Sequence, residues 1–169
     1  MRRPHAGVLG VLALLLLTAA CGGPDDAQAR ARIETARQQV AHTLDDLVPL
    51  VLRATHAKVS HGDLHYASCH FPVVSDAQVV SEVQLGYSRS TYDATWRQVA
   101  GHLEQAGWTL DASGSSAATR DGYEVVLSME GHYPALALRS PCISTSSRLG
   151  KEYAARPRTP LPAPWHPVS

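Results

Sequence analysis

No glycine-rich phosphate loop, dinucleotide-binding fingerprint, C-x-x-C pair or H-E-x-x-H helix occurs in these 169 residues. The local chemistry that cradles a nucleotide phosphate, exchanges disulfides or builds a zinc-protease centre is therefore missing. Net charge is missing as well, since 15 basic residues balance 15 acidic ones. Without a basic stripe there is no electrostatic footprint for a polyanion, which excludes nucleic acid as a partner. Lysine is scarce, with only Lys58 and Lys151 among the basic residues. The longest apolar run, Val8 to Leu17, is ten residues, about half of the roughly 20 that a spanning helix needs. Cysteine is limited to Cys21, Cys69 and Cys142.

What is present begins at the N-terminus. Arg2 and Arg3 precede the apolar run, and the small residues Thr18-Ala19-Ala20 lead into Cys21. A positive start, a short apolar stretch and small residues at a cut make an export signal. The segment Leu14 to Gly23 resembles the lipobox of bacterial lipoproteins, with one departure: Thr18 stands where that family usually has Leu, Val or Ile. The resemblance implies cleavage before Cys21 by signal peptidase II. It also implies a thioether-linked diacylglycerol on Cys21 and attachment to the extracytoplasmic face of the cell membrane. The alternative is an ordinary signal that leaves Cys21 unmodified. Residues 1–20 are expected to be the signal peptide and 21–26 a lipid-anchored tether, with Gly22-Gly23-Pro24 supplying its flexibility.

Setting Cys21 aside leaves Cys69 and Cys142. An even pair in an exported chain is expected to be a disulfide, with a metal or reactive thiol pair as the alternative. Closing so long a loop is worth about 4 kcal/mol in the chain-entropy model.

Asp25 and Asp26 stand where a helix start wants acceptors and negative charge. Ile33, Ala36, Val40, Leu44, Leu47 and Val51 follow at spacings of three and four, one apolar stripe of a helix running to about Ala57. Pro49 predicts a kink or a restart within it. Residues 59–71 have extended character. Val79, Ser81, Val83, Leu85 and Tyr87 then alternate with polar neighbours in a strand with one buried face. Ser90-x-x-Asp93 resembles a capping box. Tyr92, Trp96, Val99, Leu103 and Ala106 form a second apolar helical stripe, with Gly107 as its C-cap. A strand starts at Trp108, another spans 117–120, and Asp121-Gly122 is a hairpin turn. Tyr123, Val125, Leu127 and Met129 face one way in the next strand, and Leu136 and Leu138 in the last.

This order predicts an α+β fold of two layers. A kinked N-terminal helix and one amphipathic helix pack on an antiparallel sheet of about four to five strands, in a single domain over 27–149. The prolines at 157, 160, 162, 164 and 167 predict a Pro-rich disordered tail over 150–169. The tryptophan-bearing helix, Gly107-Trp108, Asp121-Gly122 and Ser140-Pro141-Cys142 resemble small uncharacterised lipoproteins of GC-rich Gram-positive bacteria over residues 78–145, a resemblance that carries no activity.

Two constellations suggest chemistry. His61, His65, Cys69 and His70 are the one dense group of ligand-type side chains, although residues four apart on a strand lie about 13 Å apart. Gly86-Tyr87-Ser88-Arg89-Ser90 approaches a nucleophile elbow but lacks its closing glycine. The sequence therefore predicts a membrane-anchored, non-enzymatic binding or interaction module, with an envelope protein or a wall ligand as partner and no cofactor. The alternatives are a metal-binding envelope protein using His61, His65 and His70, and a small extracytoplasmic hydrolase.

Overall fold

The computed structural model describes residues 25–70, 75–86, 92–130 and 133–161. The signal peptide, Cys21, the Tyr87–Ser90 part of the elbow and Trp165 lie outside the described residues. Helix α1 (Asp26–Thr55) starts at the acceptor that the sequence offers: the Asp25 carboxylate takes the Ala27 N–H at 2.9 Å. The last two residues of the expected tether are thus a helix cap and the first helical residue. The whole apolar stripe from Ile33 to Val51 is buried. The helix runs through Pro49 as one element and does not restart. Burial of Leu47, Val48 and Val51 around the proline offsets the lost hydrogen bond, because each buried aliphatic side chain contributes about 1.5–3 kcal/mol.

After α1 come β1 (Val59–Ala67), β2 (Asp76–Leu85), α2 (Tyr92–Gln105), β3 (Thr109–Leu110), β4 (Ala117–Arg120), β5 (Tyr123–Glu130), β6 (Tyr133–Arg139), β7 (Ile143–Ser144), α3 (Ser147–Ala154) and β8 (Thr159–Pro160). The strands are antiparallel in the order β3-β4-β5-β6-β2-β1-β8, with β7 continuing the β6 side of β2. The α+β class is as the sequence predicts. The described residues hold eight strands rather than four or five, because β3, β7 and β8 are two-residue pairings too short to show a period of two.

Alternation decides which face holds the core. Ala77, Val79, Val83 and Leu85 of β2 point to the same side as Leu64 of β1, Val125 and Leu127 of β5, and Leu136 and Leu138 of β6. All of these share one cluster with α1, with Val99 and Leu103 of α2, and with Leu149 and Tyr153 of α3. The three helices therefore cover one face, and among the described residues no helix covers the other. Asp121 and Gly122 both take positive φ, at 53° and 79°, which is what the two-residue β4–β5 turn requires. Gly107 takes φ 82° just past α2.

The expected tail is corrected over 150–161. Residues through Ala154 belong to α3, whose N-cap Ser146 accepts the Leu149 N–H at 3.2 Å. The chain then returns to pair with β1 as β8. Leu149 and Tyr153 sit one helical turn apart and bury, and the first proline comes only at 157. Arg30 of α1 grips Glu152 with two hydrogen bonds, of 2.7 and 2.5 Å. Arg156 lies 3.9 Å over the Tyr153 ring, and Tyr153 meets Tyr66 edge-on at 4.9 Å. The Arg30 guanidinium pulls the Glu152 carboxyl down to about 2.

Cys69 and Cys142 form the expected disulfide, with Cα atoms 6.1 Å apart. It joins the end of β1 to the β6–β7 connection, the two neighbours of β2. Asp76 at the start of β2 reinforces the same place. Its carboxylate accepts from Ser68 Oγ and the Cys69 N–H, both at 2.9 Å, and from His70 Nδ1 at 2.6 Å. Burial pushes this carboxyl up, but those three bonds outweigh burial and leave it below the usual range.

Two stability outcomes follow from this packing. Cys69→Ser/Cys142→Ser should lower unfolding free energy by about 2–5 kcal/mol in chemical denaturation. Ser81 is fully buried on the core face, and its Oγ has no hydrogen-bond partner among the described residues. Ser81→Ala should therefore raise stability by about 1 kcal/mol, and a loss of that size would contradict the unpaired hydroxyl.

Candidate functional site

The helix-free face carries a concentrated polar cluster around Asp63. His61, Asp63 and His65 are at i, i+2 and i+4 on β1, so they share that face, while Leu64 between them buries in the core. Antiparallel pairing sets Asp63 directly opposite Glu82 of β2, His61 opposite Gln84 and His65 opposite Val80. On its other side Asp63 faces Pro160 of β8, which brings Arg158 of the preceding loop over the pair.

The Asp63 carboxylate is 6% exposed. Its Oδ1 receives the His65 Nδ1 proton at 2.9 Å, and both oxygens receive Arg158 Nη1, at 3.2 and 3.0 Å. The same Nη1 reaches Glu82 Oε2 at 2.8 Å. His61 Nε2 lies 3.5 Å from Asp63 Oδ2. Burial pushes the Asp63 carboxyl up, but the hydrogen bonds from His65 and Arg158 more than reverse that and hold it below the usual carboxylate range. The bond to Glu82, with that to Asp63, raises Arg158 in turn. An ionised carboxylate accepts only, so His65 donates from Nδ1.

A cavity of about 440 Å³ opens onto the cluster, lined by His61, Asp63, Glu82, Gln84, Ala135 and Arg158. The space comes from β6: Ala135 and Ala137 pair with Gln84 and Glu82, and two methyl groups leave room beside two long side chains. A tighter cavity of about 270 Å³ lies between α1 and the β4–β5 turn. There Arg120 stacks 4.7 Å from the Trp108 ring and donates to the Ala106 carbonyl at 3.0 Å, so its cation is engaged within the chain. Among the described residues no cluster of three ligand-type groups occurs in that cavity, whereas Asp63, His65 and Glu82 place ligand atoms within 4.8 Å of one another.

The histidine trio of the alternative, metal-binding reading is not assembled. His61 and His65 converge on Asp63 between them, but His70 is held by Asp76 at the disulfide end. Cys69 is consumed by the disulfide. Asp63, Glu82 and Arg158 were not singled out by the sequence. Asp63 had a legible signal, since an acid two residues from each of two histidines on a strand must share their face. Glu82 depends on β1–β2 register and Arg158 on a return of the chain that prolines disguised. Of the elbow segment only Gly86 is described; its N–H donates to the Lys58 carbonyl, a role in closing the β1–β2 ladder.

Compared with family models, curated proteins and solved structures, the chain has no match in any of the three.

A carboxyl held below its usual value contributes stability above that value and loses it as pH falls through the folded one. The Asp63 contribution should therefore persist from neutrality down to about pH 4 and vanish below it. A carbon-detected NMR titration of Asp63 should give a midpoint under 3.8, and Arg158→Gln should raise it. A wild-type midpoint at or above 3.8 contradicts the assigned hydrogen bonds.

Proposed function

We propose that this protein is a lipid-anchored module of the extracytoplasmic cell envelope, held to the membrane by diacylglycerol on Cys21. It binds a partner through the helix-free face of its sheet and catalyses no reaction. The partner is an envelope protein or a wall ligand. The observation that carries the binding half is the cluster at Asp63: charged and hydrogen-bonding groups gather beside a cavity on the face that the helices leave uncovered. A cavity with a few convergent polar groups is where a ligand can be held, and the same arrangement equally favours the rival reading of a small extracytoplasmic enzyme.

The anchoring half rests on the sequence before Cys21 and on cysteine arithmetic. With Cys69 and Cys142 bonded to each other, Cys21 is the single remaining thiol, and the bonded pair suits an oxidising compartment. A single acyl chain anchors weakly, whereas two chains anchor stably, so diacylglycerol is a sufficient attachment by itself.

Metabolic labelling with a radioactive fatty acid should mark the wild-type protein and leave Cys21→Ala unmarked and released from membranes. An unlabelled wild-type protein overturns the anchor. Photocrosslinking in intact cells from positions 61 and 84 should capture a defined partner more strongly than from exposed positions of α1. Equal capture from both faces overturns the assignment of the binding surface.

A further inference from the structure

We infer that Asp63, His65 and Glu82 form a binding site for a divalent transition-metal cation, zinc in the first instance, and that the Arg158 guanidinium is the internal cation that competes for it. The inference deepens the proposed function, since it rests on the helix-free face being the binding surface. It does not depend on the lipid.

The geometry is that of a three-ligand site spread over two strands. Asp63 and His65 are two apart on β1, and Glu82 is the direct cross-strand partner of Asp63. Three side chains then meet on one face with no rearrangement of the backbone. Their ligand atoms already lie within 4.8 Å of one another. A tetrahedral ion with bonds of about 2.0–2.1 Å needs its ligands about 3.3 Å apart. The His65–Asp63 separation of 2.9 Å is close to that. On binding, the neutral His65 ring moves its proton from Nδ1 to Nε2, so that Nδ1 ligates the ion in place of donating to Asp63, and rotation of the partly exposed Glu82 side chain supplies the rest. One imidazole with two carboxylates suits zinc better than calcium, because an imidazole nitrogen favours the borderline transition metals. The adjoining cavity leaves an open coordination position for water or for a group of the partner, and His61 stands next in reach.

Arg158 occupies the position where the positive charge is wanted. Its Nη1 touches both carboxylates, at 3.0 and 2.8 Å, yet the side chain is 57% exposed and has open solvent to move into. The chain thus neutralises its two acids with a tethered cation that a mobile divalent one can displace. A purely structural ion-pair network differs in one measurable respect: removing Arg158 weakens that network and creates no affinity for metal.

The test is calorimetric titration of zinc chloride into the untagged full-length protein in detergent, disulfide intact, near neutral pH. Wild type should bind one ion, and Arg158→Gln should bind it about tenfold more tightly, because a competing charge-assisted contact is gone. Glu82→Gln and His65→Gln should lose that site while keeping the wild-type circular dichroism. Both positions are less buried than Asp63, so both variants should fold. Calcium should not compete. Absence of binding in wild type and in Arg158→Gln, or equal zinc binding in all four proteins, overturns the metal site. Either of those results leaves the crosslinking comparison of the two faces unaffected, so failure of the ion and failure of the binding face are told apart.

Discussion

The constraint on which the rest of the structure depends is the clamping of β2 from both sides. β2 pairs with β1 along one edge and with β6 and then β7 along the other. The Cys69–Cys142 bond joins those two flanks, and Asp76 draws residues 68–70 onto the start of the strand. Register matters here more than strength. A shift by one residue turns every side chain of a strand to the opposite face. It would bury Gln78, Glu82 and Gln84 against α1 and expose Val79, Val83 and Leu85. Covalent and ionic ties at one end of the sheet fix the register that separates an apolar face from a polar one.

From that separation the site follows. The helices use the apolar face completely, with α1 running across it and α3 fastened to α1 by Arg30 and Glu152. The opposite face receives what the even-numbered positions of β2 and the odd-numbered positions of β1 supply. Asp63 there is withdrawn from water, and it sits between two histidines, opposite a second acid and under an arginine. Burying a carboxylate is costly unless it is paired and hydrogen-bonded. Asp63 is placed where the fold meets that condition from two separate segments, the histidines of β1 and Arg158 before β8.

Much of the scaffold was legible in the sequence, because its signals are periodic and local. The stripe from Ile33 to Val51, the alternation of β2, the positive-φ turn at Asp121-Gly122 and the leftover cysteine pair each rest on a few neighbouring residues or on a count. What escaped was long-range or short. Two-residue strands have no period. Helix α3 is eight residues long, and the prolines beyond it tipped the segment towards disorder, although Leu149 and Tyr153 already marked a helical turn. The site was half legible. His61 and His65 were noted for an alternative metal site, but His70, its third histidine, belongs to the Asp76 clasp. Glu82 and Arg158 reach Asp63 only through strand pairing and through the return of β8, neither of which leaves a mark in sequence spacing.

The brevity of β8 has a consequence for self-association. Among the described residues the sheet ends on one side at Thr159–Pro160 and on the other at Thr109–Leu110. Proline has no N–H to offer, and strands this short give an incoming chain little to template on. Without β8 all nine residues of β1 would lie bare along this edge. By covering Asp63 and Leu64 with a strand that contains a proline, the chain interrupts the run of free backbone groups along which neighbouring copies could pair edge to edge.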